Sequence, residues 1–367
     1  MQFTILQENL QQVILDVQKS ITARPPLPIL SCILMETDDN KISFSATDLQ
    51  IGIRSQAEAE IEKPGVCAVP AKVFIDYINT LSPGKLTISL DGQTLTVKAK
   101  GDKATFQCFA PGDYPPFPEK EGDGVELSLK FFEPAVQNTS FAASMDEARP
   151  VLTTLLFNLG EKTEVVGTDG FRLARYVSNF HLSPPRQLLL PAKAVNEVLR
   201  IAQRKKVKSV FFRLSEKLKQ VFFSFADVEM LVRVIDGDFP PYQKIMPVDF
   251  QTEVSFDGDE FAQKIKTAMI FARESSGIIR LRVEKEELKI ISSSSTLGTQ
   301  EGVLPLTLIK GGDQEIAFNA KYVTDFLSIL KPETVWLGMN ESLKPAVFRP
   351  LGMDDYNYVV MPFRVNQ

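Results

Sequence analysis

The sequence predicts an α+β protein of three similar domains, each with antiparallel sheets and two helices on one face. Three observations carry this prediction. One short segment occurs three times, each copy is followed by the same helical apolar pattern, and alternating apolar runs typical of strands fill the intervals. A chain of 367 residues is long enough for three domains. One-sided strands alternating with amphipathic helices favour sheets that carry their helices on one face.

The clearest repeat precedes a helix. The copies are Val69-Pro70-Ala71-Lys72, Leu190-Pro191-Ala192-Lys193 and Phe318-Asn319-Ala320-Lys321. Apolar residues follow each copy at spacing i, i+3, i+4, i+7, which places them on one buried helix face. Proline or asparagine just ahead of the pattern suits a helix N-terminus. The apolar sets are Phe74, Tyr77, Ile78, Leu81; Val195, Val198, Leu199, Ala202; and Val323, Phe326, Leu327, Leu330.

Two further repeats mark the ends of the units. Strand-like openings occur at Phe3-Thr4-Ile5, Leu127-Ser128-Leu129 and Val254-Ser255-Phe256. The closing segments are Gly112-Asp113-Tyr114-Pro115-Pro116-Phe117, Gly237-Asp238-Phe239-Pro240-Pro241-Tyr242 and a degenerate Asp355-Tyr356. Polar or proline-containing linkers follow the first two closures. We therefore expect domains at 1–121, 122–248 and 249–367.

Composition argues against several classes of function. Hydrophobic residues make up 44% of the chain and no apolar run approaches the roughly 18 residues that span a bilayer. The N-terminus shows no secretory signal, so we expect a cytoplasmic protein with no membrane partner. The cysteines Cys32, Cys67 and Cys108 are widely spaced and are expected to be reduced core thiols.

Catalytic motifs are also missing from the sequence. His181 is the only histidine and has no neighbouring cysteine or serine motif, and there is no phosphate-binding GxxxxGK[ST] loop. We therefore expect no catalytic residues, metal or cofactor. The acidic pairs Asp236/Asp238 and Asp354/Asp355 are interpreted as turn formers, and an enzyme that uses them is a distant alternative.

The charge balance leaves a nucleic-acid surface open. The net charge is −5, from 41 basic and 46 acidic residues, which disfavours simple coating of DNA. Residues 200–208 nevertheless carry five basic residues and no acid. They could be a solvated helix end followed by a turn, or a surface that binds phosphates without reading bases.

Motifs along the whole chain resemble one family. They are Arg24-Pro25-Pro26-Leu27-Pro28-Ile29-Leu30, Ala46-Thr47-Asp48-Leu49, Val69-Pro70-Ala71-Lys72, Thr168-Asp169-Gly170-Phe171-Arg172-Leu173-Ala174, Asp236-Gly237-Asp238-Phe239-Pro240 and Tyr358-Val359-Val360-Met361-Pro362-Phe363-Arg364-Val365. In this order they resemble the bacterial replicative sliding clamp, the β subunit of DNA polymerase III. The resemblance implies a DNA clamp fold that closes as a head-to-tail homodimer ring, with helices lining the pore and sheets outside.

The resemblance also implies a function and partners. Such a ring encircles duplex DNA independently of sequence and tethers the replicative polymerase, as a processivity factor in DNA replication. The implied partners are the DNA polymerase III α subunit, the clamp loader, and other polymerases and repair proteins that bind through short linear motifs. The main alternative is a monomeric three-repeat peptide-binding scaffold that does not encircle DNA.

Site residues follow from the same resemblance. Arg24, Lys72 and Lys193 are expected to contact DNA phosphates, and Ile270 and Phe271 to lie in the dimer interface. A peptide-binding groove between the second and third domains is expected to comprise Leu152, Thr168, Gly170, Phe171, Arg172, Leu173, Pro240, Lys244, Ile245, Asn319, Tyr322, Val359, Val360, Met361, Pro362, Phe363 and Arg364. The chain departs from the family pattern at Asp146, where an uncharged polar residue is common near the DNA. It also departs at Lys244, at Phe363 and by the Asn366-Gln367 extension, and these three departures bear on peptide preference.

Overall fold

The computed structural model describes residues 1–22, 25–118, 124–274 and 276–364. These residues form two compact units. The first unit contains residues 1–130 and 197–234, and the second contains residues 131–196 and 235–367. The strand pairs of both units run antiparallel, as the alternating apolar runs predict.

The described ranges contain six α-helices, two in each third of the chain. In that part of the chain no helix has both the length and the apolar character needed to cross a bilayer. The helices after the repeated segment begin at its alanine, and their predicted apolar faces are buried except for the half-buried Tyr77 and Leu330. The helices are α1 (Gln7–Val17), α2 (Ala71–Thr80), α3 (Leu129–Ser140), α4 (Ala192–Arg204), α5 (Gly258–Ala272) and α6 (Ala320–Leu330).

The strands follow the same three-part division. In the first third they are β1 (Gln2–Leu6), β2 (Cys32–Asp38), β3 (Lys41–Thr47), β4 (Ile51–Glu58), β5 (Glu60–Lys63), β6 (Val66–Pro70), β7 (Lys85–Asp91), β8 (Thr94–Lys98) and β9 (Lys103–Gln107). In the middle third they are β10 (Val125–Ser128), β11 (Thr154–Leu159), β12 (Thr163–Thr168), β13 (Arg172–Ser178), β14 (Arg186–Pro191), β15 (Ser209–Ser215), β16 (Gln220–Phe225) and β17 (Val228–Arg233). In the last third they are β18 (Thr252–Asp257), β19 (Ile278–Glu284), β20 (Glu287–Ser294), β21 (Gly298–Pro305), β22 (Leu308–Lys310), β23 (Gln314–Asn319), β24 (Thr334–Met339), β25 (Ala346–Pro350) and β26 (Tyr356–Val360).

The first unit contains two sheets. One has the order β5-β1-β7-β8-β9 and the other the order β10-β15-β16-β17-β4-β3-β2-β6. Helix α1 packs on β3, β4 and α2, because its apolar residues Leu10, Val13, Ile14 and Val17 lie on one face. The pairing of β4 with β17 makes the larger sheet continuous between the first and middle thirds of the sequence.

The second unit has the same design. Its sheets have the orders β14-β11-β12-β13-β26-β25-β24-β18-β22 and β21-β20-β19-β23. Helix α5 packs against β20, β21 and α6 and buries Phe261, Ile265 and Ala268. Here β13 pairs with β26, so the middle and last thirds of the sequence share one sheet. The functional residues predicted for the groove lie around this pairing.

Candidate functional site

A hydrogen-bonded turn between β12 and β13 organises the site. The Thr168 hydroxyl donates to the carbonyl of Arg172 at 2.6 Å and accepts from the amide of Gly170 at 3.1 Å. Asp169 Oδ1 accepts from the amides of Phe171 at 2.9 Å and Arg172 at 3.0 Å. Gly170 has φ +92°, a left-handed conformation that suits glycine. The turn leaves Phe171 57% exposed at its tip.

Arg172 is only 8% exposed and is held on three sides. Its Nη1 donates to Asp325 Oδ2 of α6 at 2.6 Å, and its Nε donates to Asp169 Oδ2 at 3.0 Å. Its Nη2 donates to the carbonyl of Phe141 at 2.7 Å. The planar guanidinium supplies several donors in fixed directions. Arg172 therefore ties the end of β13 to α6 and to the residue that follows α3.

Aromatic residues complete the surroundings of this guanidinium. It lies 4.8 Å from the ring centroid of Tyr322, and the hydroxyl of the buried Tyr358 donates to the Tyr322 carbonyl at 3.0 Å. Burial lowers the pKa of Arg172, but Tyr358, Asp325 and Asp169 outweigh that effect and raise it above its ordinary value. The guanidinium therefore stays charged and holds its partners at any physiological pH.

The last strand, β26, contributes buried residues, and the segment after it contributes exposed ones. Val359 and Val360 are buried in the middle of the nine-stranded sheet. Beyond the strand, the Met361 amide donates to the Phe171 carbonyl at 2.9 Å, and the Phe363 amide donates to the Ala317 carbonyl at 2.7 Å. The side chains of Met361 and Phe363 are exposed. The strand thus ends in an exposed, backbone-anchored apolar segment.

Tyr242, which the predicted groove does not include, packs against β13 and β26. It is buried in an apolar cluster with Leu173 and Val359. Its hydroxyl donates to Glu164, which also pairs with Arg175. Burial raises the pKa of Glu164, but these hydrogen bonds outweigh it and hold the pKa below the ordinary 4.5. Tyr242 ends the Gly-Asp-aromatic-Pro-Pro-aromatic repeat, a signal that could have identified it.

Two further residues predicted for the groove, Lys244 and Ile245, lie at the end of the short 3-10 helix Tyr242–Lys244. The Ile245 amide donates to the Tyr242 carbonyl at 3.0 Å and its side chain is exposed. All described groove residues belong to the second unit. The exposed ones are Gly170, Phe171, Pro240, Lys244, Ile245, Met361, Phe363 and Arg364; the half-buried ones are Leu152, Asn319, Tyr322 and Pro362; the buried ones are Thr168, Arg172, Leu173, Val359 and Val360.

The lysines expected to contact DNA occupy equivalent positions. Lys72 and Lys193 are exposed second residues of α2 and α4. Lys321 occupies the same position in α6, where it pairs with Asp325 at 2.9 Å. A cation at a helix N-terminus is opposed by the helix dipole, so Lys72 and Lys193 gain no stabilisation from the dipole at these positions. Arg24 lies outside the described residues.

The basic stretch that follows Arg200 is largely neutralised. Arg200 pairs with Glu197. Arg204 and Lys205 both contact the carboxylate of Asp16, which is fully buried. A buried carboxylate requires such partners, because an unpaired charge in the core is costly. These contacts favour a structural role for the stretch over a free phosphate-binding surface.

Residues considered for chemistry lie in ordinary surroundings. His181 is exposed, and Asp354 pairs with Arg349 at 3.3 Å. The cysteines Cys32, Cys67 and Cys108 are buried and not bonded to one another, as predicted for core thiols. Among the described residues, no group of three or more His, Cys, Asp or Glu side chains could hold a metal ion. Ile270, the expected interface residue at the end of α5, is 60% exposed and its neighbour Phe271 is half-buried.

The repeated sheet-and-helix design, with exposed apolar side chains beside the end of β26, is that of a three-domain clamp protein. Family models agree along almost the whole chain. They match residues 1–118 to the N-terminal, 126–241 to the central and 243–364 to the C-terminal domain of the DNA polymerase III beta subunit. The chain therefore belongs to the DNA polymerase III beta subunit family and is a replicative sliding clamp.

Individual relatives support this assignment. The beta sliding clamp of Staphylococcus aureus is 27% identical over 379 residues, which covers 99% of each chain. The crystal structure of the DNA polymerase III beta subunit from Thermotoga maritima covers 100% of both chains at 26% identity, with a TM-score of 0.93. That of the Pseudomonas aeruginosa subunit gives 26% identity, full coverage and a TM-score of 0.92. The predicted fold class and family are confirmed.

Proposed function

We propose that two copies of this chain close head to tail around duplex DNA and tether the replicative polymerase. The observation that carries the proposal is the tandem of three matching family domains. Two such chains supply six like domains, and a heterologous contact whose rotation closes gives a ring rather than a filament. A closed ring is retained by topology, so it needs only weak phosphate contacts and no catalytic group. The chain then acts as a cytoplasmic processivity factor and not as an enzyme.

The partners would bind in the groove of the second unit. Four groove residues, Phe171, Ile245, Met361 and Phe363, have exposed apolar side chains. Aromatic, aliphatic and methionine side chains can accept a leucine or phenylalanine anchor from different sequences. We assign this groove to short linear segments of the polymerase α subunit, the clamp loader, and other polymerases and repair proteins.

The remaining assignments concern DNA, the dimer and the domain limits. Arg24, Lys72 and Lys193 would contact phosphates without reading sequence, which makes binding sensitive to salt. Ile270 and Phe271 would bury apolar surface between the two chains. The domains would span 1–121, 122–248 and 249–367, with the linkers near the proline-rich closures.

The decisive experiment loads the protein onto nicked circular DNA with a clamp loader and then linearises the DNA. A closed ring should slide off the free ends, whereas loaded protein should stay on the uncut circle. Retention on linear DNA, or equal binding to linear and circular DNA without a loader, would identify a scaffold that does not encircle DNA.

The interface is tested by mass measurement at micromolar concentration. Ile270→Asp should convert the dimer to monomers and abolish loading, because a carboxylate would be buried without a partner. Ile329→Asp, at another exposed isoleucine on a helix of the same domain, is the matched control and should leave the dimer intact. A wild-type protein that is purely monomeric would contradict the ring.

A further inference from the structure

The turn that organises the groove has a counterpart in the first unit. The Thr47 hydroxyl donates to the Ile51 carbonyl at 3.0 Å and accepts from the Leu49 amide at 3.0 Å. Asp48 Oδ1 accepts from the amides of Gln50 at 2.9 Å and Ile51 at 2.7 Å. Leu49 has φ +73°, in the same left-handed region as its counterpart in the second unit. The same four hydrogen bonds therefore form both turns.

The strand pairing beyond the turn also recurs. Gly52 of β4 lies opposite Leu231 of β17, as Leu173 of β13 lies opposite Val359 of β26. The amide of Arg233 donates to the Gln50 carbonyl at 2.9 Å. Met361 makes the equivalent bond, also at 2.9 Å, in the second unit. The β4–β17 pairing is therefore the structural counterpart of the pairing that carries the groove.

A small apolar pocket lies at this counterpart position. Its volume is about 120 Å³. A Cβ atom at Gly52 would lie 3.4 Å from the Phe117 ring and 3.5 Å from Leu231, in van der Waals contact with both, so a longer side chain at this position would occupy part of the pocket that these residues line. An apolar cavity of about 150 Å³ in another protein admits benzene, so this pocket has the size for one aliphatic side chain. The lining includes Leu34, Leu49, Gly52, Tyr114, Phe117 and Leu231.

Charge beside the pocket indicates what would flank that side chain. Arg233 is exposed and lies two residues after Leu231, on the same face of β17. Arg54 lies on the face of Gly52, with its guanidinium 4.5 Å from the Phe117 ring and Glu229 opposite it in β17. Among the described residues Arg233 has no ion-pair partner, which favours an acidic neighbour for the bound side chain.

We infer that this pocket of the first unit binds one leucine-sized side chain of an extended peptide segment, with an acidic residue of the segment facing Arg233. The inference goes beyond the proposed function, because it assigns a second and smaller peptide site separate from the groove. The internal repeat supplies the frame, and Gly52 in place of a leucine supplies the space.

The test uses the full-length protein and a defined probe. The probe is a twelve-residue glycine-serine peptide with a central aspartate next to a photoreactive leucine, and cross-links are mapped by mass spectrometry. Cross-links are expected in residues 45–52, 114–118 and 220–231. Gly52→Leu should reduce them about ten-fold, as expected for the loss of about 1.4 kcal/mol of binding. Gly312→Leu, at a glycine with open space around it, should not.

Two further arms separate this site from the groove. The double variant Phe171→Ala/Met361→Ala should lose cross-links in the second unit and retain those in the first unit. Arg233→Glu should reduce first-unit cross-linking several-fold. Lys98→Glu, an equal charge change at an exposed lysine of β8, should not reduce it. Absence of first-unit cross-links, or equal yields for wild type and Gly52→Leu, would overturn the inference. If Gly52→Leu lowers the melting temperature, Gly52→Ala replaces it, with a smaller expected reduction.

Discussion

The turns at residues 47–51 and 168–172 share one backbone and differ in the side chain they bury. Ile51 is buried at the end of the first turn, and Arg172 is buried at the end of the second. Threonine and aspartate at the first two positions make the same hydrogen bonds in both. Threonine and aspartate therefore set the backbone of the turn, whereas the residue at the fifth position decides between apolar packing and a charge that ties distant elements together.

The floors beneath the two turns differ in the same way. Leu173 fills the position that Gly52 leaves open, and Tyr242 stands where the first unit has Phe117. The extra hydroxyl of Tyr242 donates to Glu164, and the residue at the equivalent position, four before the threonine of the first turn, is the uncharged Ser43. In the first unit Arg54 instead lies over the Phe117 ring and donates to Ser45 at 3.2 Å. The second unit therefore has the more rigid polar support.

The largest effect should come from removing the tethering charge. Arg172→Ala should lower the free energy of unfolding of the second unit by about 3 to 5 kcal/mol, because Asp169 loses Arg172 in a mostly buried site and Asp325 keeps only the exposed Lys321. Denaturant titration followed by the fluorescence of Trp336, the only tryptophan and a residue of β24, measures this change.

The matched variant in the first unit is Ile51→Val. It removes one methylene and should cost about 0.5 to 1.5 kcal/mol. The buried cysteines Cys32, Cys67 and Cys108 all lie in the first unit, so thiol labelling in denaturant reports on its unfolding. If Arg172→Ala lowers the free energy of unfolding by less than Ile51→Val does, the ion pairs of Arg172 contribute less than the apolar packing of Ile51, contrary to this prediction.

Met361 and Arg233 occupy equivalent positions in the two units, but only changes at Met361 should weaken the binding of a polymerase-type peptide. Removing residues 361–367 should weaken a polymerase-type peptide by about ten-fold or more, because burial of an apolar anchor contributes about 1.5 to 3 kcal/mol. Met361→Ala should have a smaller effect in the same direction, since the strand remains. Titration of a fluorescent peptide measures both, with dimer mass recorded alongside.

Arg233→Ala is the control for that titration and should leave the affinity within about two-fold, a change of less than 1 kcal/mol. If the truncated protein binds as tightly as wild type, or loses its dimer together with the peptide, the segment after β26 is structural and not a groove wall.

The contacts of Glu164 with Tyr242 and Arg175 should make the stability of the second unit decrease at acid pH. A carboxyl whose pKa is lower in the folded than in the unfolded state stabilises the fold above the unfolded pKa, and this contribution is lost as pH falls through the folded value. Glu164→Gln should therefore cost about 1 kcal/mol at pH 7 and progressively less below the ordinary value of 4.5. Trp336 fluorescence in melts between pH 7 and pH 3.5 measures the difference.

The first-unit variant Ser45→Ala supplies the comparison, since no carboxylate takes part in its contact with Arg54. Its effect should not change with pH. A pH-independent loss for Glu164→Gln as well would show that the charge of Glu164 contributes nothing to this support.

The smallest expected effect is on the salt dependence of DNA binding, when Lys72 of α2 or its equivalent Lys321 of α6 is replaced. Lys72→Ala should reduce the slope of log binding constant against log salt concentration by about 0.9, the loss of one phosphate contact. Lys321→Ala should reduce it less, because Lys321 pairs with Asp325. Anisotropy titrations of a short duplex at several salt concentrations decide this, and equal slopes for the two variants would remove the distinction. Lys193→Ala should behave as Lys72→Ala.

Much of the fold was predictable because it depends on local patterns. The repeated alanine marked the first residue of α2, α4 and α6, and the closing repeats marked the segments that pack beside β4 and β13. In α6, Lys321 pairs with Asp325, four positions further along the helix. Glu197, its counterpart after Lys193, pairs with Arg200 instead. Spacing places two side chains on one helix face but does not choose among several nearby partners.

The three repeats, the helix starts, the turn residues and the family could all be predicted from the sequence, because each depends on residues a few positions apart. Which residues of the predicted groove are buried and which are exposed depends on the folded chain. The tertiary structure brought Arg172 to Asp325, 153 positions further along the chain. It also placed Arg204 and Lys205 against buried Asp16 and left a space above Gly52. Such contacts arise from the packing of distant elements, where burial and charge pairing select partners that no local pattern identifies.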